Sequence, residues 1–413
     1  MTASTAAKPD ATPLALYAHF PWCVAKCPYC DFNSFALRGE LPVETYLEAL
    51  RRDLDAQLEW FAQAAPAALP LPARPVTSVF LGGGTPSLFA PDAIGRWLEV
   101  ARARLPFAPD CEITLEANPG TIERGRFADY RAAGVNRVSL GAQSFGSAQL
   151  AALGRIHGAA DTRVAAAELH AAGLTNFNLD LMYGLPGQTP AMACADVLAA
   201  LELEPAHLSH YQLTLEPGTT FAGRPPDALP DDDSVERMLA ECLAVFDAHG
   251  FARYEVSAHA RPGARCRHNL TYWHFGDYLG VGAGAHGKLT LPAAAGPPRI
   301  LRTTRPREPR RYGADPVTLQ VTEVPLAQRP FEFLLNALRL VDGYEIADFT
   351  TATGLSWDSL GPTTRLLERG LLVTEGGRVR ATQRGLQFLN ELLIEYLPDP
   401  LAAVPTSPWP TIT

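Results

Sequence analysis

The chain has 413 residues, 47% of them hydrophobic, enough for one large α/β unit and a smaller appendage. A formal charge of −9 excludes a broad nucleic-acid surface, which needs a basic face, and no nucleic-acid partner is expected. Seven cysteines, an odd number with three crowded near the N-terminus, suit metal-binding thiolates in a reducing compartment rather than a disulfide framework.

In chain order, residues 1–13 (MTASTAAKPDATP) read as a disordered lead-in, with one lysine and no apolar run to make a signal peptide. No stretch reaches the roughly 18 apolar residues of a membrane span. A cytoplasmic protein is expected, with peripheral contact at a membrane left open. Apolar runs predict strands over 14–20, 77–81, 112–117, 136–141, 175–182, 208–215 and 252–257. Helical patterns between them cover 43–61, 91–104, 122–133, 160–172, 191–203 and 234–249. Repeated strand–helix units imply a parallel sheet with right-handed crossovers, closing wholly or partly into a β/α barrel over 14–290. An open doubly wound sheet is the alternative.

The loops after these strands are rich in chemistry and in turn residues. The first holds three cysteines, the second GGGTPS (82–87), and the third Asn118-Pro119-Gly120. Ala142-Gln143-Ser144 and Tyr183-Gly184-Leu185-Pro186-Gly187 follow the next two. In a barrel such loops converge at the C-terminal face, where sites form. Residues 291–327, with PAAAGPP and RPREPRR, read as a linker or excursion. Helices at 329–340 and 357–369, a strand at 371–374, a Gly376-Gly377 turn, a strand at 378–381 and a helix from Arg384 predict a winged-helix-like domain over 328–397. On an acidic chain with scattered arginines, it is expected to pack or dock a partner rather than read DNA. A Pro-rich tail, 398–413, completes the chain.

Cys23, Cys27 and Cys30 are spaced C-x3-C-x2-C with no fourth cysteine nearby. Two chemistries fit that pattern. A zinc knuckle would recruit His19 or Asp31 as fourth ligand. A [4Fe–4S] cubane would use the three thiolates and leave one iron open to an external ligand. The other four cysteines, Cys111, Cys194, Cys242 and Cys266, have no metal-like spacing and read as buried small apolar residues, with Cys266 notable for lying two residues before His268.

The cysteine motif after a first strand resembles that of the radical S-adenosylmethionine (SAM) superfamily. In that superfamily SAM chelates the open iron and is cleaved to a 5′-deoxyadenosyl radical. Tyr17-Ala-His-Phe-Pro-Trp-Cys23, GGGTP, Leu115-Glu116-Ala-Asn-Pro, Gly141-Ala-Gln143-Ser-Phe and Asp180-Leu-Met-Tyr-Gly-Leu-Pro are similar to the HemN-like branch, which includes oxygen-independent coproporphyrinogen III oxidase. The resemblance implies that Gly83, Gly84 and Thr85 face the SAM amino group. Tyr17 and Tyr29 would flank the cofactor, and Glu116, Gln143, Arg155 and Asp180 would line its pocket.

Within the branch, Cys30-Asp31-Phe32 departs from the oxidase pattern C-x-x-C-x-C. CPYCDFNS, His268-Asn269-Leu270-Thr271-Tyr272-Trp273 and the glycine-rich run Tyr278-Leu-Gly-Val-Gly-Ala-Gly-Ala-His286 resemble instead the haem chaperones of the HemW group. That resemblance implies haem as cargo, delivered to haem proteins of the respiratory chain at or near the membrane surface. It also implies an electron donor for the cluster and no decarboxylating activity. His268 would be the haem ligand, Asn269 an orienting group, and Tyr272 and Trp273 apolar faces. The bland alternative makes His268 a histidine satisfied within a packed turn. The alternative activity is oxidative decarboxylation of coproporphyrinogen III or another tetrapyrrole, and no catalytic residue is singled out.

Overall fold

The computed structural model describes residues 13–120, 125–293 and 296–398. Twelve strands among these residues form one mixed sheet. They are β1 (Leu14–Phe20), β2 (Val76–Gly83), β3 (Phe107–Ala117), β4 (Arg137–Gln143), β5 (Phe177–Tyr183) and β6 (His207–Gln212). The rest are β7 (Ala252–Arg253), β8 (Ala258–Ala260), β9 (Asp277–Val281), β10 (His286–Leu291), β11 (Arg299–Thr304) and β12 (Gln320–Glu323). Their spatial order is β12-β11-β10-β9-β1-β2-β3-β4-β5-β6-β8-β7. Strands β9 and β1 to β6 run parallel, and the pairs beyond them at both ends are antiparallel.

The parallel strands are covered on both faces, so they read as nearly continuous apolar runs. In β1, LALYAHF, every residue except Tyr17 is buried. Helices cover the outside, among them the amphipathic Val43–Ala64 and Pro91–Arg102 and the more uniformly alanine-rich Ala159–Ala171 and Pro190–Leu201. Leu50, Leu54 and Phe61 of the first join Leu14, Leu16 and Val79 in the main core.

The expected partial barrel holds through β6, and then the chain departs from the simple repeat. Residues 252–257 do not make a seventh parallel strand. The Tyr254 amide donates to the Ala258 carbonyl at 3.1 Å, so the chain folds back and leaves the two-residue β7 paired with β8 at an antiparallel edge. The chain then crosses to the far side of the sheet and lays β9 beside β1.

The stretch 291–327 is likewise more than a linker. Arg299–Thr304 pairs residue for residue with β10, and Ile300 and Leu301 are buried. Its arginines masked this, because a basic run ordinarily reads as solvated. Arg305 is instead buried in an ion pair with Asp53 of the helix Val43–Ala64. The helix expected over 122–133 is seen as Phe127–Ala132, its first residues lying outside the described ones.

Residues from 329 build a second core around Phe333, Phe349, Leu366, Val379 and Leu392. The hairpin Leu372–Glu375/Arg378–Ala381 turns at Gly376 and Gly377, whose φ values of +59° and +84° suit glycine. A strand Tyr344–Glu345 and a helix Ile346–Thr353, both absent from the expectation, complete a three-stranded winged-helix-like unit. No helix among the described residues is long and apolar enough to cross a membrane. The lead-in through residue 12 and the tail from 399 lie outside the described residues.

Candidate functional site

The C-terminal ends of the parallel strands surround a cavity of about 570 Å³. Strand geometry sends alternate side chains inward. Thr114 and Glu116 line it from β3, Ser139, Gly141 and Gln143 from β4, Asn178 and Asp180 from β5, and His207 and Ser209 from β6. At Gln143 the register slips and φ is +67°, a bulge that turns this side chain into the cavity mouth.

Cys23, Cys27 and Cys30 stand at that mouth as free thiols. Their loop is tied down at several points. Trp22–Cys23 pairs with Phe35–Ala36, and Lys26 donates to the Phe32 and Ser34 carbonyls at 3.1 and 3.0 Å. The Gly84 and Thr85 amides donate to the Phe20 and Trp22 carbonyls at 2.8 and 2.7 Å. A Cβ on Gly84 would lie 2.6 Å from the Trp22 carbonyl oxygen. Gly84 does line the cavity, yet its missing side chain makes room for the cysteine loop rather than for a ligand. Burial pushes the Cys23 thiol up, and hydroxyls of Thr85 and Ser34 pull it back.

His19, a candidate fourth ligand for a zinc ion, is already engaged. Its Nε2 donates to the Asn33 carbonyl and its Nδ1 accepts from the Tyr17 hydroxyl, both at 2.9 Å. Burial pulls its imidazole down to about 4. The second candidate, Asp31, is solvent-exposed. The zinc reading therefore loses its support.

Deeper in the cavity the groups are charged. Glu116 accepts from the Gly83 amide at 2.9 Å, and burial raises its carboxyl to about 7 against that hydrogen bond. Asp180 accepts from Ser139 at 3.1 Å and Asn178 at 2.8 Å, and burial raises it too. Arg155 reaches the Gly141 carbonyl at 2.9 Å, the Cys27 sulfur at 3.6 Å and the Asn118 side chain, while its buried Nε has no partner among the described residues. Tyr29 packs on an apolar wall that includes Met182, Leu213 and Phe221.

The HNLTYW motif forms a short helix, Arg267–Trp273, packed on β2. Glu112 accepts from the Arg267 and His268 amides at 2.9 and 3.3 Å and satisfies the first turn. Asn269 and Tyr272 line the cavity with His268. His268 is buried, with Nδ1 3.1 Å from the Ser78 hydroxyl and Nε2 2.7 Å from that of Tyr272. Both ring nitrogens are thus hydrogen-bonded, as the packed-turn alternative expects, and a haem iron would bind His268 only by displacing one of these hydroxyls.

Trp273 stands apart from the cavity, under the Arg339 guanidinium at 4.4 Å. It contacts the C-terminal unit. Cys266 is also committed, its thiol 3.7 Å from Glu112 and pushed up to about 12 by burial. Cys111 and Cys242 are buried as expected, whereas Cys194 is half-buried.

The Radical SAM superfamily model matches residues 17–197, and the HemN C-terminal domain model matches residues 324–388. The heme chaperone HemW of Escherichia coli (strain K12) is 46% identical over 388 residues, covering 94% of this chain and 99% of that protein. The chain belongs to the HemW family of radical SAM proteins. The Haemophilus influenzae heme chaperone HemW is 43% identical, over 95% of this chain and all of that protein. The solved coproporphyrinogen III oxidase HemN of E. coli shares the fold at a TM-score of 0.76 and 22% identity, covering 94% of this chain and 90% of that one.

The structure adds cavity residues to those that the HemW and HemN motifs suggest. Asn118, Ser139, Asn178, His207 and Ser209 join Glu116, Arg155 and Asp180 in one polar lining. Asn178 is its hub, accepting from Ser209 at 3.0 Å and lying 2.7 Å from His207. A signal was present: NLD and HLS place polar residues two apart inside otherwise apolar strands, where each buried polar group needs a partner.

Proposed function

We propose that this protein is a haem chaperone that carries a SAM-liganded [4Fe–4S] cluster and passes intact haem to haem proteins of the respiratory chain. The relationship to proteins named heme chaperone HemW over nearly the whole chain carries this reading. The cavity chemistry supports it. Cys23, Cys27 and Cys30 would hold three irons of the cluster. When bound, that cluster supplies an electron and one open coordination position.

The remaining residues bind and orient. Arg155, with its unpartnered Nε, offers a guanidinium to a carboxylate. Glu116 and Asp180 offer acceptors to an ammonium or a ribose hydroxyl, and Gln143 and Thr85 add polar contacts at the rim. The Gly83 backbone and Tyr17 close the β1–β2 side, and Tyr29 with its apolar wall would cover an adenine. A reductant must load the cluster with its electron, and the recipients are expected at the membrane surface.

Anaerobic reconstitution followed by two parallel assays tests the reading. Stoichiometric binding of intact haem, transfer to an apo-cytochrome and no consumption of coproporphyrinogen III are expected. Multiple-turnover decarboxylation of coproporphyrinogen III would replace the chaperone with the oxidase.

A further inference from the structure

A second cavity of about 550 Å³ opens beside the first and shares Tyr17, Glu116 and Tyr272 with it. That volume lies inside the roughly 300–1,000 Å³ range of small-molecule sites. Its outer wall is made of groups that the cluster and SAM assignment leaves unused: Phe32, Tyr278, His286 and Arg307.

His286 opens β10, exposed to solvent. Its ring has no hydrogen-bond partner among the described residues, in contrast to His268 and His19, both of whose nitrogens are taken. Partial burial and the charges of Arg302 and Arg307 lower its affinity for a proton, which favours the neutral imidazole that binds metals. The glycine-rich run before it brings the backbone in closely. A Cβ on Gly280 would fall 1.9 Å from the His286 carbonyl oxygen, so β9 passes this close to the start of β10 only with glycine there.

Arg307 has no carboxylate partner among the described residues, and its side chain reaches only Asn33 Oδ1, at 3.5 Å. Its neighbours Arg302 and Arg305 are paired with Glu332 and Asp53. Phe32, on the cluster loop and 59% exposed, stands at the edge of both cavities. Tyr272 and Tyr278 meet edge to face at 4.5 Å and extend the aromatic wall.

An available imidazole, an unpaired guanidinium and aromatic surface around one cavity match a flat metallated macrocycle bearing carboxylates. We infer that the cargo haem sits in this second cavity, with His286 as axial ligand and Arg307 pairing a propionate. This inference rests on the chaperone reading. It places the cargo against the wall shared with the SAM cavity, and it moves the iron ligand from His268 to His286.

The test is a ferric haem titration of the full-length, cluster-reconstituted protein, following the Soret band. His286→Ala should shift the Soret maximum and weaken binding at least about tenfold, and added imidazole should restore the wild-type band. Arg307→Glu should weaken binding about tenfold without moving the band. His249→Ala, on an exposed helix end remote from both cavities, should match wild type in both respects. Because His286 is exposed and has no hydrogen-bond partner among the described residues, unchanged iron and sulfide content would confirm that its variant is folded. A His286→Ala protein with wild-type band position and affinity overturns the seat while the chaperone reading stands. Wild-type protein that binds no haem overturns the chaperone reading itself.

Discussion

A valine at position 84 would have to occupy space already held by the Trp22 carbonyl, 2.6 Å from where its Cβ would stand. Gly84→Val should therefore displace the cysteine loop, and the reconstituted variant should lose both SAM affinity and most of its iron. Full iron content with weakened SAM binding would instead place the clash on the ligand side. Cys30→Ala removes one of three thiolates and leaves no cysteine nearby to replace it. Iron, labile sulfide and the broad visible absorption should fall together, and retention of about four irons per chain would refute the ligand set. The cysteines were legible because their spacing is local. Whether a glycine serves a ligand or a neighbouring backbone was not, since that depends on which surface the turn meets.

Among the elements, the start of β9 is held by a buried charge cluster. Asp277 accepts from Arg74 at 2.9 Å, Lys288 at 3.1 Å and the Thr290 amide at 3.0 Å, tying β9 to β10 and to the segment before β2. Burial alone would raise its carboxyl, but Lys288 and Arg74 outweigh burial and hold it below the usual carboxylate range. A depressed folded-state value means that its stabilisation is complete above the unfolded carboxylate value of about 3.9 and is lost as pH falls through the folded one. Asp277→Asn removes the carboxylate charge that faces two buried cations and should cost about 3–5 kcal/mol at pH 7 by denaturant titration. The deficit should shrink below about pH 4, as wild-type Asp277 itself becomes protonated. A pH-independent deficit would mean that the carboxylate charge is not what matters. Strand positions were largely legible here, whereas Asp277, Lys288 and Arg74 are too far apart in sequence for their pairing to be read.

On the scale of the whole molecule, the C-terminal unit docks on the sheet domain through a shared apolar core that includes Phe275 and Phe333 and through polar contacts such as Arg302–Glu332, Arg265–Asp342 and Arg339–Glu255. Arg339 donates to Glu255 at 3.0 Å and covers the Trp273 ring. Arg339→Ala leaves the buried Glu255 without its cation and should cost about 2–3 kcal/mol. In calorimetry the C-terminal unit should melt earlier while the cluster content stays unchanged, and a single unshifted transition would show that the contact is idle. This contact also sets Trp273 against an arginine 66 residues away, a neighbour that no pattern around His268 shows. The amino-acid sequence by itself determined what is set within a few residues. That includes the C-x3-C-x2-C thiolates, the strand–helix repeat through β6, the glycine turns and the departure from the oxidase after Cys30. Tertiary structure alone decided what depends on distant partners. It laid β9 across to β1, made a strand of residues 299–304 by pairing them with β10, and engaged both nitrogens of His268 while leaving His286 without a hydrogen-bond partner among the described residues. Ser78 lies 190 residues from His268. A histidine's availability is fixed by such partners, and no local pattern encodes them.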